Sequence, residues 1–226
     1  MKFKGIIFDF NGVLLWDSHL HVQAWQQFAL KLRGYEFDNN ELSIHVHGRT
    51  NSHILSYLTG RALQSQELSE LIQMKETVYR NLCLSQGKLF ALSPGATDLL
   101  DFLAKNNIPR TIATASEKTN LDFFIKHLSL KQWFDINLIV YDDGQLPGKP
   151  LPDIYLKAAS NLGLPSQECI VVEDAISGIQ SAHAANIGHI IALGHQATNQ
   201  QLKACVGVSA VVESLEQLSK ESLFSV

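Results

Sequence analysis

From residue 94 to residue 193 the sequence alternates between two textures, and this alternation limits the possible folds more than any other feature. Stretches with helical spacing at 96–106, 118–128, 152–162 and 175–185 are separated by short apolar runs at 111–115, 136–140, 169–172 and 189–193. Strands that alternate with helices require right-handed crossovers and build a parallel sheet. The run 4–9 belongs with them: it is short, apolar and without polar alternation, as a strand buried on both faces must be. Between this first strand and residue 94 the chain changes character. From Asp17 to about Gly87 it is strand-poor, with His21, Trp25, Phe28, Ala29 and Leu32 at helical spacing, and again Leu68, Leu71, Ile72, Lys75 and Val78. The expected fold is α/β, a doubly wound, mostly parallel sheet interrupted after its first strand by an all-helical insert. The expected domains are an α/β core of residues 1–16 and 88–226 and a helical domain of residues 17–87.

Composition removes several classes of function. Hydrophobic residues are 46% and charged residues 18% of the 226, enough apolar material to close a core of this size. The net charge is -4 and no Lys/Arg cluster is present to neutralise a run of phosphates, so no nucleic-acid partner is expected. No apolar stretch approaches the ~20 residues needed to cross a bilayer, so no membrane partner is expected either. Lys2 and Lys4 precede apolar residues, but Asp9 interrupts the run before any cleavage signal. Cys83, Cys169 and Cys205 are far apart and form no C-x-x-C, which suits reduced thiols or small core residues, and the expected compartment is the cytoplasm. A monomer is expected.

Ligands of open α/β sheets bind beyond the carboxyl ends of the strands. Those ends carry Asp9 and Asn11 after the first strand, Thr114, Ala115 and Ser116 after the second, Gly148-Lys149-Pro150 after the third, and Glu173-Asp174 after the fourth. Carboxylates are the ligands Mg²⁺ prefers, and a lysine with a hydroxyl beside them suits a phosphoryl group. Asp9 is the natural nucleophile, because an aspartate can form an acyl phosphate and split one difficult displacement into two. Gly144 to Lys149 is not a P-loop: the glycines are too close, and Pro150 stands where a metal-binding Ser or Thr is required.

These stretches resemble the four motifs of the haloacid dehalogenase superfamily, and the chain is similar over nearly its whole length to the β-phosphoglucomutase-like branch. DFNGVL resembles the first motif, IATAS the second, GKPLPDIY the third and VVEDAISGIQSA the fourth. The resemblance implies Asp9 as nucleophile and metal ligand, the backbone carbonyl of Asn11 on the metal, Thr114 on the transferring phosphate with Ala115, Ser116 and Asn120 nearby, and Lys149 stabilising it. It implies Glu173 and Asp174 as anchors for Mg²⁺. The insert becomes a mobile cap in which Gly48 and Arg49, within HGRTNSHIL, face the substrate, and His21 and Trp25 match a pair on the first cap helix. The implied activity is Mg²⁺-dependent hydrolysis of a small phosphomonoester, a sugar phosphate, through a phospho-aspartate. A phosphosugar mutase or a non-catalytic phosphate binder are the alternatives.

The departure is at Asn11. Most relatives have an aspartate there, acting as general acid and base, and an amide cannot exchange a proton near neutral pH. Loss of such a group costs about 10²–10⁴ in rate. Asp17 also stands one residue later than in the commoner pattern. Taken singly, each residue has a plainer reading. Asp9 can form a turn, Asp174 can cap the next helix, Lys149 can be a solvated charge, and Thr114 an ordinary strand hydroxyl. Arg49 can be a helix-surface charge, and His21 and Trp25, four residues apart on one helix face, can simply pack. His45 and His47 lack a third ligand at zinc spacing and read as surface histidines.

Overall fold

The computed structural model describes residues 3–46 and 49–224. The chain divides into two compact units, one made of Met1–Trp16 with Ala91–Val226 and the other of Asp17–Phe90.

The first unit is built on six strands: β1 (Gly5–Phe8), β2 (Arg110–Glu117), β3 (Val140–Asp142), β4 (Cys169–Glu173), β5 (His189–Leu193) and β6 (Val208–Val212). They lie in the order β3-β2-β1-β4-β5-β6, and every pairing is parallel. The chain therefore steps outward from β1 to β3 on one side and resumes at β4 on the other, so its direction of winding reverses between β1 and β4. Such a reversal opens a crevice at the carboxyl edge, because the connections on either side leave in opposite directions. β1 and β4 are buried along their whole length, which explains why their sequences are continuous apolar runs. Ile7, Ala113, Val171, Ile190 and Ala192 pack in one core with Tyr155, Ala158 and Ile179 from two of the helices.

The elements follow the sequence reading except near residue 136 and after residue 193. The run expected as a strand at 136–140 is a 3₁₀ turn at Ile136–Leu138, and β3 begins only at Val140. Asp135 causes the shift: its carboxylate accepts from the Asn137 backbone N–H at 3.0 Å and turns the chain before it can extend. β6 and the short helix Asn199–Lys203 were not expected at all.

The second unit contains helices Ser18–Arg33, Asn51–Thr59 and Ser65–Ser85, with a capped turn at Asn39–Glu41 continuing into Leu42–Val46. Trp25, Phe28, Ala29, Phe37, Ile54, Leu55 and Leu58 form its apolar core. Beside that core lies a polar cluster. Asp17 is wholly buried and accepts from the Tyr79 hydroxyl, and its Oδ2 lies 3.3 Å from His21 Nε2. Lys75, also buried, approaches His21 Nδ1 at 3.0 Å and Glu76 Oε1 at 2.9 Å. Burial holds the Lys75 ammonium below its ordinary pKa, against the pull of Glu76. No helix among the described residues is long and apolar enough to cross a membrane.

Candidate active site

The carboxyl ends of the central strands are level with one another. Phe8 on β1 pairs with Ile112 on β2 and with Val172 on β4, so Asp9 and Glu173 leave the sheet side by side at the reversal point. The Asp9 backbone N–H still donates to the Val172 carbonyl at 3.0 Å, which extends the ladder by one bond and fixes where the carboxylate begins. Asp9, Glu173 and Asp174 each offer an oxygen within 4.8 Å of the others.

Such a cluster is electrostatically costly unless it is compensated. Lys149 provides part of the compensation. Its Nζ lies 2.6 Å from Asp9 Oδ1 and also binds Glu173 Oε1, and the three side chains are almost wholly excluded from solvent. Burial alone would lower the Lys149 pKa, but the charges of Asp9 and Glu173 outweigh it and hold the ammonium well above its usual range. Asp174 is left with less help. Burial, and then the charges of Glu173 and Asp9, push its carboxyl up to about 8. Three carboxylates against one ammonium leave two formal negative charges, on a set of oxygen donors that suits a hard divalent cation.

Glu173 is positioned on every side. Its Oε1 accepts from Lys149 and from the Tyr155 hydroxyl at 3.0 Å, and its Oε2 accepts from the Ala175 N–H at 2.8 Å. Asp174 is not the cap of the following helix, Ile176–Ala184, which has no side-chain cap. Two glycines make room for the acids. A Cβ at Gly178 would lie 2.6 Å from Glu173 Oε2 and closer still to Oε1. Gly12 has φ of 85°, and a Cβ there would lie 2.5 Å from Asp174 Cγ. Only glycine meets both demands at position 12.

On the β2 side, Thr114 is buried and Ser116 half-buried, and the two are joined: the Ser116 N–H donates to Thr114 Oγ1 at 3.1 Å. The Ser116 hydroxyl in turn donates to Asn11 Oδ1 at 2.7 Å. Ala115 is exposed between them and Asn120 is buried one turn into the next helix. Asp9, Asn11, Thr114, Ser116, Lys149, Glu173 and Asp174 thus share the carboxyl edge of one sheet.

The remaining expected residues belong to the helical unit. His21 is stacked on Tyr79 with ring centroids 3.9 Å apart, and both its nitrogens face partners in the polar cluster. Trp25 sits in the apolar core with Lys75 Nζ 5.0 Å from its ring, so packing accounts for its position. Arg49 is exposed, and its Nε donates to the Ile44 carbonyl at 3.0 Å. Gly48 and His47 lie outside the described residues. His45 stacks on Tyr57 at 3.8 Å. The sequence reading missed Tyr155, Gly178 and Tyr79. Tyr155 lay inside the third motif, GKPLPDIY, and Gly178 inside the fourth; the motif stretches were the signal for both. Tyr79 gave none, because a tyrosine among helix-spaced apolar residues looks like core.

A family model described as haloacid dehalogenase-like hydrolase matches residues 3–186. A haloacid dehalogenase hydrolase of family IA, variant 3, from Entamoeba histolytica superposes with a TM-score of 0.91 at 34% identity, covering 97% of each chain. Hexitol phosphatase A of Escherichia coli is 29% identical over 219 residues, 97% of this chain and 94% of that protein. The β-phosphoglucomutase of Bacillus subtilis is 28% identical over 223 residues, 97% and 93% of the two chains. The chain belongs to the haloacid dehalogenase-like hydrolases, in the branch that includes β-phosphoglucomutase. It is an enzyme of the phosphatase type.

Proposed function

We propose that the chain is a Mg²⁺-dependent phosphohydrolase of a small phosphomonoester, acting through a phosphoryl group carried transiently on Asp9. The observation that supports this most is the meeting of Asp9, Lys149, Glu173 and Asp174 at the reversal point of the sheet. Asp9, Glu173, Asp174 and the carbonyl of Asn11 would hold the ion, which supplies positive charge against the phosphoryl oxygens when bound. A carboxylate oxygen of Asp9 attacks phosphorus while Thr114 and Lys149 hold the oxygens of the transferring group. The Asp9–Glu173 contacts of Lys149 keep its ammonium charged and aimed at the site where that group would lie. Water then attacks the phosphoryl group and the Asp9 carboxylate departs. The family resemblance makes the helical unit a cap and gives Arg49 and His21 as its substrate-binding residues. Sugar phosphates are the substrate class of choice, since the hexitol phosphatase of Escherichia coli is among the relatives.

The test is release of inorganic phosphate from a panel of phosphomonoesters. Activity should vanish with EDTA, return with Mg²⁺, and be lost in Asp9→Ala and Asp174→Ala. Turnover that survives in Asp9→Ala removes the covalent route. Asn11 favours a second reading, a phosphate binder without turnover, and the same panel separates it: ligand-dependent stabilisation with no phosphate release from any compound.

A further inference from the structure

Any phosphatase must decide what becomes of the oxygen that leaves. An alkoxide is too basic to depart from phosphorus unaided, so a side chain within reach must give it a proton. Among the described residues at the carboxyl edge no side chain is in a position to do so. Asp9 and Glu173 are committed as carboxylates to the Lys149 ammonium, and with Asp174 to the cation of the proposed function. Lys149 is bound to two carboxylates that stabilise its proton. The Tyr155 hydroxyl is spent on Glu173. Thr114 and Ser116 are alcohols, and they are linked to each other.

Asn11 completes the set, and its orientation is fixed. Because Ser116 Oγ donates to Asn11 Oδ1 at 2.7 Å, the carbonyl end of the amide is turned toward β2 and its other end is the NH₂. That group donates hydrogen bonds and transfers no proton. It can stabilise a leaving oxygen that is already an acceptable anion, and it helps an alkoxide far less than an acid would. Two residues of the helical unit have the chemistry to replace a missing acid, Asp17 and His21, and they are engaged with each other. His21 presents Nε2 to Asp17 at 3.3 Å and Nδ1 to Lys75 at 3.0 Å, while Asp17 also holds the Tyr79 hydroxyl.

Resting on the phospho-Asp9 reading above, we propose that, beyond the sugar phosphates of that reading, the site favours a phosphoryl donor whose leaving oxygen departs as a stable anion, an acyl phosphate or a phosphoanhydride. Asn11, held by Ser116, then acts as a fixed hydrogen-bond donor to that oxygen. In the first step the Asp9 oxygen forms a bond to phosphorus, the bond from phosphorus to the leaving oxygen breaks, and the electron pair departs with a carboxylate or a phosphate. No proton is transferred. In the second step water adds to phosphorus, the Asp9 carboxylate leaves with its electron pair, and the proton of the water is taken by the phosphate product or by solvent.

The experiment compares kcat/KM for acetyl phosphate, pyrophosphate and glycerol 3-phosphate in the parent protein and in Asn11→Asp, both with Mg²⁺. Acyl phosphates are reactive with any catalyst, so the quantity that decides is how the ratio of each to glycerol 3-phosphate changes between the two proteins. Restoring a carboxylic acid should shift that ratio toward glycerol 3-phosphate by about 10²-fold or more. A shift of less than tenfold, or one in the opposite sense, overturns the proposal. Acetyl phosphate and pyrophosphate distinguish the two sources of leaving group by which of them the parent turns over with the larger kcat/KM. Intact mass after rapid acid quench keeps the two readings apart. If Asp9 is phosphorylated and the ratio does not shift, only the substrate inference fails; if no donor phosphorylates either protein, the phospho-Asp9 reading fails and carries this one with it.

Discussion

Replacing the glycine at position 178 by alanine should destabilise this protein, although the same change in most helices does the opposite. Gly178 lies within the helix Ile176–Ala184, and in an ordinary helix alanine is preferred over glycine by about 1 kcal/mol. Here the added methyl would lie 2.6 Å from Glu173 Oε2 and nearer still to Oε1, well inside van der Waals contact. The Glu173 carboxylate would have to turn away from at least two of its three donors, Lys149, Tyr155 and the Ala175 N–H. Hydrogen bonds to a charged group contribute roughly 1.5–3 kcal/mol each, so losing two of them costs about 3–6 kcal/mol. Against the gain in helix propensity, a net loss of about 2–5 kcal/mol remains. Urea denaturation in the absence of metal measures it, and Mg²⁺ titration by calorimetry should show weakened binding in the same variant. A double-mutant cycle isolates the cause. Once Glu173 has been cut back to alanine there is nothing left to overlap, and Gly178→Ala should then stabilise by about 1 kcal/mol. If Gly178→Ala alone matches or exceeds the parent in stability, the close approach of helix and carboxylate described here is wrong.

Three further outcomes follow from the charges. The folded-state pKa of Asp174 is raised to about 8 from an ordinary 3.8, so the folded state binds a proton more tightly than the unfolded one. Without metal, stability should therefore fall as pH rises from about 4 to 8; Asp174→Asn should flatten that fall in pH-dependent urea curves, and an unchanged slope would refute it. Lys149→Met leaves the buried carboxylates without their counter-charge and should cost roughly 3–5 kcal/mol near pH 8, with part recovered on acidification; a loss below about 1 kcal/mol would mean that solvent already screens the cluster. In the helical unit Tyr79→Phe removes one hydroxyl from the buried Asp17 carboxylate and should destabilise by roughly 1.5–3 kcal/mol in chemical denaturation, whereas no change would make that contact incidental.

What could be read from the sequence divides along physical lines. The strands that end in functional residues were legible because burial on both faces forces an uninterrupted apolar run, and a carboxylate breaks such a run sharply, as at Asp9 and Glu173. β6 was missed because it is an edge strand whose residues are half-exposed, so Val208–Val212 lacks both the continuous and the alternating pattern. The expected strand at 136–140 failed through a local competitor, the Asp135 turn, that apolar content does not reveal. At the site, residue types could be listed by strand end, but the bond from Ser116 to Asn11 joins residues 105 apart, and no local pattern encodes it. Lys75 offered a signal that was passed over. It stood within an apolar helical stripe, where a charge has to be solvated or paired, and it proves to be buried against Glu76 and His21.

Charge ties Asn11 to the rest of the site. Asp9, Glu173 and Asp174 with Lys149 leave a formal charge of about −2, which a divalent ion would bring to neutral before any phosphoryl group arrives. A fourth carboxylate at position 11 would leave that assembly negative, facing a dianion. Two unit charges 4 Å apart near a protein surface repel by about 4 kcal/mol, so an acid at this position must be protonated when the substrate binds if it is not to weaken binding. Asparagine avoids that constraint. It offers hydrogen bonds to the incoming group at every pH and gives up proton transfer in return. A substrate that needs no proton loses nothing by the exchange, and gains a site whose affinity for a dianionic phosphoryl group does not depend on the protonation of its neighbour.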